Sequence, residues 1–440
     1  MDDNHALAAQ RPSAVECPRY QCPGESKPID RATHLARLAS FYPPCRTCDR
    51  RDDVGQLFTL QADQWGEVLR RQTQSPRYTG EGLDAESANA LGPERVAQFT
   101  TALATVAWRQ REHSSAPPTV VVGCDGHWTT AELMSTACTA ARFAGCKTLE
   151  ASSLTTPALV TTAIQFEADA ALWIGNATGM PHATALRAWG RKGRPMSSPG
   201  GLDAVRELDS PTLVRPRRRG GASQRVNAHA AYLASLEPQF HALRPLRFVL
   251  DTVCQPLVRD LQSLTAHGAC EVLRPDASLV AARPGTEHGS DYLKRRIASL
   301  GRQVVARQAH FGIWVDGAGE ACRVADETGR IVSAESLFGK LADYVVEQQP
   351  TATIVVQPRD EGLANDSTAA ANVRFAQSVP TRESMFESME SSGAAMGSAA
   401  GGAVWFAGPP SVPDALLATS LLLTVLSQTD RSAGEILDAA

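Results

Sequence analysis

The sequence lacks a strong charge of either sign. Its 440 residues carry 43 basic and 47 acidic side chains, a formal charge of −4. That balance gives no electrostatic footing for nucleic acid as the main partner. A long apolar run is missing too. The most apolar stretch, Ala415 to Leu426, is broken by Thr419, Ser420 and Thr424, so a buried helix is expected there and no membrane span. The N-terminus, M-D-D-N-H-A, has no basic-then-apolar leader, and a cytoplasmic protein is expected. Aromatic residues are scarce at 6%, and a hydrophobic content of 43% is ordinary for an alanine-rich α/β protein. The chain is long for one core, so two to four domains are expected.

Six of the ten cysteines (Cys124, Cys138, Cys146, Cys254, Cys270, Cys322) are scattered through apolar contexts, as reduced core thiols are. The other four form two close pairs, Cys17-x4-Cys22 and Cys45-x2-Cys48, separated by a helix-like insert from Arg31 to Ser40. Two such knuckles suit a structural, tetrahedral zinc on Cys17, Cys22, Cys45 and Cys48, since four thiolates leave no open position for substrate. An iron–sulfur cluster would use the same ligands, and four unligated thiols are the bland alternative.

After a polar segment with a short helix expected at Gln61 to Arg71, a helix is expected from Pro93 to Gln110, opened by proline and an acid. Thr119 to Gly123 reads as a buried strand. A helix follows at Ala131 to Ala144, then a strand near Thr148, a helix from Thr155 to Glu167 and a strand at Ala170 to Ile174. Strands alternating with helices at this spacing imply βαβ units and a parallel sheet. Arg215 to Arg219 (R-P-R-R-R) is a basic, glycine-flanked run without interleaved aromatics, read as a solvated linker. Strands are expected again at Leu246 to Asp251 and Glu271 to Leu273, with helices at Leu257 to Ala266 and Tyr292 to Gln308. The remaining expected elements are helix Ser336 to Gln348, strands Thr353 to Val356 and Val404 to Phe406, and helix Pro413 to Gln428.

Between these elements, residues His310 to Arg330 read H-F-G-I-W-V-D-G-A-G-E-A-C-R-V-A-D-E-T-G-R. A strand ends in Asp316, glycines turn the chain at 317 and 319, a second strand follows, and a polar turn closes it. Alternate glycines let a loop aim its carboxylates at one hard cation such as magnesium. This stretch resembles the metal loop of the phosphohexomutases (phosphoglucomutases and phosphomannomutases), D-G-D-G-D-R, a strand and D-x-x-G-R. Asp316 holds the first ligand position, Ala318 the second, Glu320 the third, and Ala321 stands where the family has arginine.

The resemblance extends to C-D-G-H-W-T-T at 124–130, with His127 in the family's arginine position, and to T-T-P-A-L at Thr155 to Leu159. Thr155 and Thr156 there are read as helix caps. The family's T-A-S-H-N-P, whose serine carries the phosphoryl group, corresponds to G-N-A-T-G-M-P from Gly175 to Pro181. Ala177 takes the serine position, Thr178 the histidine position, and Arg187 falls on the family's lysine. The sugar-gripping G-E-x-S-G-H corresponds to Gly397 to Ala403, G-S-A-A-G-G-A, where a plain turn is expected. No R-x-S-G-T-E-P phosphate loop occurs in the twelve residues after Gln428.

The resemblance covers Pro93 to Ser427, about three quarters of the chain. It implies an α/β fold of three consecutive α/β/α domains with mixed, mostly parallel sheets, after an N-terminal Cys-rich module. The expected boundaries are 1–76, 77–214, 222–325 and 326–440, with the fourth family domain absent. A methyl group at Ala177 cannot be phosphorylated. The expectation is therefore a catalytically inactive relative with a vestigial, weak or absent magnesium site at Asp316 and Glu320. Its role would be regulatory, sensing or scaffolding, toward a sugar phosphate or a protein partner, with neither nucleic acid nor membrane involved. The alternative is an active hexose-phosphate mutase or phosphotransferase using Thr178 and magnesium on Asp316 and Glu320.

Overall fold

The computed structural model describes residues 20–22, 26–39, 42–46, 48–51, 75–85, 90–111, 116–180, 183–209, 220–275, 289–357, 374–399 and 401–438. Cys17, the helix expected at Gln61 to Arg71 and the run Arg215 to Arg219 lie outside the described residues. The chain forms two compact units, residues 1–70 with 283–286, and residues 71–282 with 287–440.

In the first unit, helix α1 (Arg31–Ala39) starts at Asp30, whose carboxylate accepts the Thr33 amide at 2.7 Å. Leu38 and His34 are buried on its inner face, and the His34 ring stacks on Tyr20 at 4.0 Å. A 3₁₀ turn, Pro43–Arg46, follows. Cys22, Cys45 and Cys48 are all buried. Burial first, then the nearby Cys22 and Cys48, push the Cys45 thiol up to about 11. The Arg50 amide donates to Cys48 Sγ at 3.4 Å. Among the described residues, no group of three or more His, Cys, Asp or Glu side chains is placed to hold a metal ion.

The second unit contains three sheets that follow one another along the chain. The first has the order β1 (Arg77–Tyr78), β2 (Leu83–Ala85), β6 (Thr184–Trp189), β5 (Ala170–Gly175), β3 (Thr119–Cys124), β4 (Lys147–Ser153) and β7 (Ser223–Arg225). Helices α2 (Pro93–Arg109), α3 (Trp128–Phe143), α4 (Thr156–Gln165) and α5 (Gly201–Leu208) belong to the same stretch, and α6 (His229–Leu236) comes after it. β3 is parallel to both β4 and β5, and β5 turns back antiparallel into β6. The second sheet runs β11 (Cys322–Asp326), β10 (Phe311–Val315), β8 (Arg247–Thr252) and β9 (Glu271–Leu273), with α7 (Gln255–Thr265) and α8 (Gly289–Arg307). The third runs β13 (Arg374–Gln377), β12 (Thr353–Val356), β14 (Met396–Ala399), β15 (Ala403–Phe406) and β16 (Val412–Pro413). Helices α9 (Ala334–Gln348), α10 (Arg382–Ser392), α11 (Ala415–Ser427) and α12 (Ala433–Leu437) complete it.

The central strands are apolar on both faces because both are covered, as a parallel sheet between helices requires. In β3, Val121 faces one apolar cluster while Val120 and Val122 face another with Phe99, Leu103 and Leu133 of α2 and α3. The first of those clusters is continuous through all three sheets, taking in Trp173, Phe248, Ile313, Ile354 and Phe406. Val249 and Trp314 pack with Leu300 and Val304 of α8 on the outer side of the second sheet. Val355 and Trp405 pack with Met385, Phe386 and Met389 of α10 on that of the third. Each sheet thus lies between helical layers, the α/β architecture expected.

A common topology places the loops of interest. In each sheet a parallel strand turns back into an antiparallel neighbour next in the chain: β5 into β6, β10 into β11 and β14 into β15. Residues 176–180, 316–321 and 401–402 lie in the turns between those three strand pairs. Ala321 bridges to Ala403, and the Cys322 amide donates to the Gly402 carbonyl at 3.1 Å, so the second and third turns meet backbone to backbone.

Helix α10 was not anticipated from the sequence. Its run R-E-S-M-F-E-S-M-E-S-S is serine-rich, a poor helix interior by propensity. It folds because Met385, Phe386 and Met389 make one apolar face and the Thr381 side chain caps Ser384 N at 3.1 Å.

Candidate active site

Asp125 anchors the first loop. It is buried at the end of β3, where its carboxylate accepts the His127 amide (2.9 Å), the Thr130 hydroxyl (2.6 Å) and the Asn176 amide (2.9 Å). One side chain therefore ties the start of α3 to the turn after β5. His127, in the position compared above with arginine, is exposed and caps α3 through Thr129. Ala177 packs its methyl against the main core. Thr178 is exposed, and its hydroxyl donates to Asn176 Oδ1 at 3.4 Å and accepts from the Met180 amide at 3.3 Å. The turn is closed on itself.

Arg187 points from β6 to the β1–β2 hairpin. It is 4% exposed, forks onto both carboxylate oxygens of Asp84 and lies 4.0 Å from Glu81. A bidentate pair with a buried arginine and a half-buried carboxylate fixes the guanidinium in place. The sequence offered no sign of Asp84 as a partner, because the pairing spans 103 residues.

The second turn is the most densely bonded. Asp316 Oδ1 accepts the amides of Gly319 (2.7 Å) and Glu320 (2.9 Å), which is how a lone carboxylate shapes a five-residue loop. Burial, then the neighbouring Glu320, push its carboxyl up to about 7 against the pull of those amides. The Ala318 carbonyl accepts the Thr156 amide (3.0 Å) and hydroxyl (3.2 Å) at the start of α4. The Gly319 carbonyl accepts the Ala415 amide (3.0 Å) at the start of α11. A Cβ on Gly317 would lie 1.6 Å from the Asn176 carbonyl oxygen, so the first and second turns are also in backbone contact. Glu320 Oε1 takes 2.6 Å hydrogen bonds from Thr156 Oγ1 and from Arg382 Nη2. The Arg382 guanidinium lies over the Trp189 ring, 5.4 Å from its centroid.

The expected residues Ala177, Thr178, Asp316 and Glu320 thus lie on two turns that touch at Asn176 and Gly317. Residues 80–199 match the family model for phosphoglucomutase/phosphomannomutase, α/β/α domain I. A phosphoglucosamine mutase of Maricaulis maris is 23% identical over 294 residues, 64% of each chain. One of Moorella thermoacetica is 26% identical over 230 residues, 51% of this chain and 49% of that one. Residues 80–199 thus carry the domain I pattern of the phosphohexomutases, and the chain is similar to that superfamily in sequence and fold. It spans about half to two thirds of the length of those two curated relatives. Its fold is that of a Burkholderia thailandensis phosphoglucomutase/phosphomannomutase family protein (TM-score 0.67, 16% identity, 82% of this chain and 78% of that one). It is also that of Paramecium parafusin, a phosphoglucomutase, in its open form (TM-score 0.62, 12% identity, 83% and 74%).

Against the phosphohexomutase pattern, the donor set of the second turn does not fit magnesium. Ala318 supplies no side-chain oxygen, and Asp316 Oδ1 already accepts two amides. Glu320 Oε1 is already shared by a hydroxyl and a guanidinium. A hard dication asks for about six oxygens in a regular shell.

The sugar-loop counterpart differs from the expected plain turn. Met396–Ala399 is strand β14, paired with β15 in register from Met396–Phe406 to Ala399–Ala403. Small residues make this possible, since Gly397 sits 3.2 Å, measured from an added Cβ, from the sulfurs of Met385 and Met389 beneath it. Sequence reading missed Arg382 altogether and took Thr156 as a cap only. A threonine cap at 381 with methionines at 385 and 389 was the available signal for the former.

Proposed function

We propose that this phosphohexomutase-like chain does not turn over hexose phosphates and serves as a regulatory, sensing or scaffolding relative. The observation that supports it is Ala177, a half-buried methyl packed against the core at the position that resembles the family's phosphoryl-accepting serine. A second support is the metal loop, where Asp316 Oδ1 and Glu320 Oε1 are each shared by two internal partners. The test is phosphorus NMR of the purified protein with magnesium and either glucose 1-phosphate or glucosamine 6-phosphate, the latter chosen because curated relatives are phosphoglucosamine mutases. No isomerised product is expected. Turnover of either substrate that disappears in Thr178→Ala would establish the alternative, an active mutase or phosphotransferase. One observation favours that alternative: Thr178 is exposed on the turn that touches the metal loop. A sugar phosphate held without turnover would appear as a thermal shift, because a ligand of the folded state stabilises it.

The same reading gives the N-terminal segment a structural zinc on Cys17, Cys22, Cys45 and Cys48. Its support is the shared burial of Cys22, Cys45 and Cys48 and the amide donated to Cys48 Sγ. Metal analysis of wild type and Cys45→Ser tests it: about one zinc per chain, lost in the variant, is expected. Iron in its place would mean a cluster.

A further inference from the structure

The second turn keeps two carboxylates in a buried setting, and buried carboxylates need a compensating charge or proton. Glu320 finds its charge within the chain. Its side chain is 12% exposed and meets Arg382, 10% exposed, at 2.6 Å. Trp189 underlies the guanidinium at 5.4 Å. The Arg382 Nε is buried without a hydrogen-bond partner, so the guanidinium is aimed at Glu320 and not spread over several acceptors. A divalent ion on the same Glu320 oxygen would stand about 2 Å from it. It would then lie close beside the guanidinium carbon's charge in a water-poor site, where like charges repel strongly. Cation and arginine are mutually exclusive on that oxygen.

We propose that Arg382 is an internal replacement for the divalent metal: its guanidinium holds the Asp316–Glu320 loop in the shape that magnesium would otherwise organise. The replacement also joins the sheets, because Glu320 follows β10, Thr156 starts α4 and Arg382 starts α10. It stands whether or not turnover survives. A simple interdomain ion pair would have the same geometry but would not exclude metal.

The experiment is a manganese titration of the full chain followed by electron paramagnetic resonance, with thermal unfolding in parallel. Wild type should take up no manganese through this loop at millimolar concentration. Arg382→Met should gain affinity by about tenfold or more, equivalent to about 1.4 kcal/mol, and should be stabilised by manganese. Adding Glu320→Gln to Arg382→Met should remove that gain. Manganese binding by wild type that Glu320→Gln abolishes would overturn the proposal, as would a folded Arg382→Met that gains nothing. If Arg382→Met does not fold, Arg382→Gln takes its place, with the same gain expected and the same failure decisive. Arg382→Lys, which keeps a cation on the loop, should remain manganese-free.

Discussion

The second and third hairpin turns touch at Ala321 and Ala403, yet they have parted from the phosphohexomutase pattern in opposite ways. The turn at 316–321 keeps charge and surrounds it: Asp316 is held by two amides, Glu320 by Thr156 and Arg382, and the backbone by the first residues of two helices. The hairpin around the third turn has no such polar side chains at Ala399, Gly401 or Ala403. Ala399, Gly401 and Ala403 stand where the family has glutamate, serine and histidine, and the stretch persists as a backbone hairpin. The difference teaches where constraint lies in this chain. A turn emptied of side chains needs only its pairing, whereas a turn that retains buried carboxylates must retain their partners too.

Substitutions sharpen that contrast, and the largest effect is expected at Gly317. A methyl there would meet the Asn176 carbonyl oxygen at 1.6 Å, a backbone atom with little freedom to withdraw. Gly317→Ala should cost about 3 kcal/mol or more, or abolish folding, by the backbone movement it forces. Denaturant unfolding of the purified variant measures it, and a near-neutral result would mean the two turns are less tightly joined than described. Arg382→Met comes next. It leaves Glu320 buried without its cation, for which about 2–4 kcal/mol is expected. Most of that loss should return in the Arg382→Met, Glu320→Gln double variant, where no charge is stranded.

A pH effect of intermediate size is expected at Asp414, which links the two regions by capping α11 through the Leu416 and Leu417 amides. Burial pushes its carboxyl up to about 6 from 3.8, the amides and the Tyr232 hydroxyl notwithstanding, and Glu320 adds to the rise. The folded state therefore holds this proton more tightly than the unfolded chain. The stability it contributes is complete below pH 3.8 and is lost as the pH rises through about 6. Thermal unfolding across that window should fall in wild type and fall less steeply in Asp414→Asn. Equal slopes would exclude Asp414 as the source. The smallest effect belongs to the emptied turn. Gly401 has φ of +85° and open space around an added Cβ, so Gly401→Ala should cost only about 1 kcal/mol, the strain of that backbone conformation.

Much of the architecture was readable because it rests on short-range pattern. The strand Phe311–Val315 falls where its apolar run predicts, Thr353–Val356 likewise, and α2, α7 and α9 lie within two residues of their expected bounds. Proline, threonine and aspartate caps mark helix starts through contacts three residues long. The site was readable only in part. The turns could be located from their glycines, and that Ala177 and Ala318 carry no side-chain oxygen follows from residue identity alone. What the side chains touch could not be read, since Arg187 reaches Asp84 across 103 residues and Arg382 reaches Glu320 across 62.

By itself, then, the sequence determined the order of strands and helices, the three glycine-bearing turns, and the absence of a side-chain hydroxyl at 177. Those properties depend on residue type and on neighbours within a turn or two of the chain. Only the tertiary structure decided that the three turns converge, that Thr156 is more than a cap, and that an arginine from an unanticipated helix neutralises Glu320. Such pairings depend on how sheets pack, which local propensity and hydrophobic spacing do not encode.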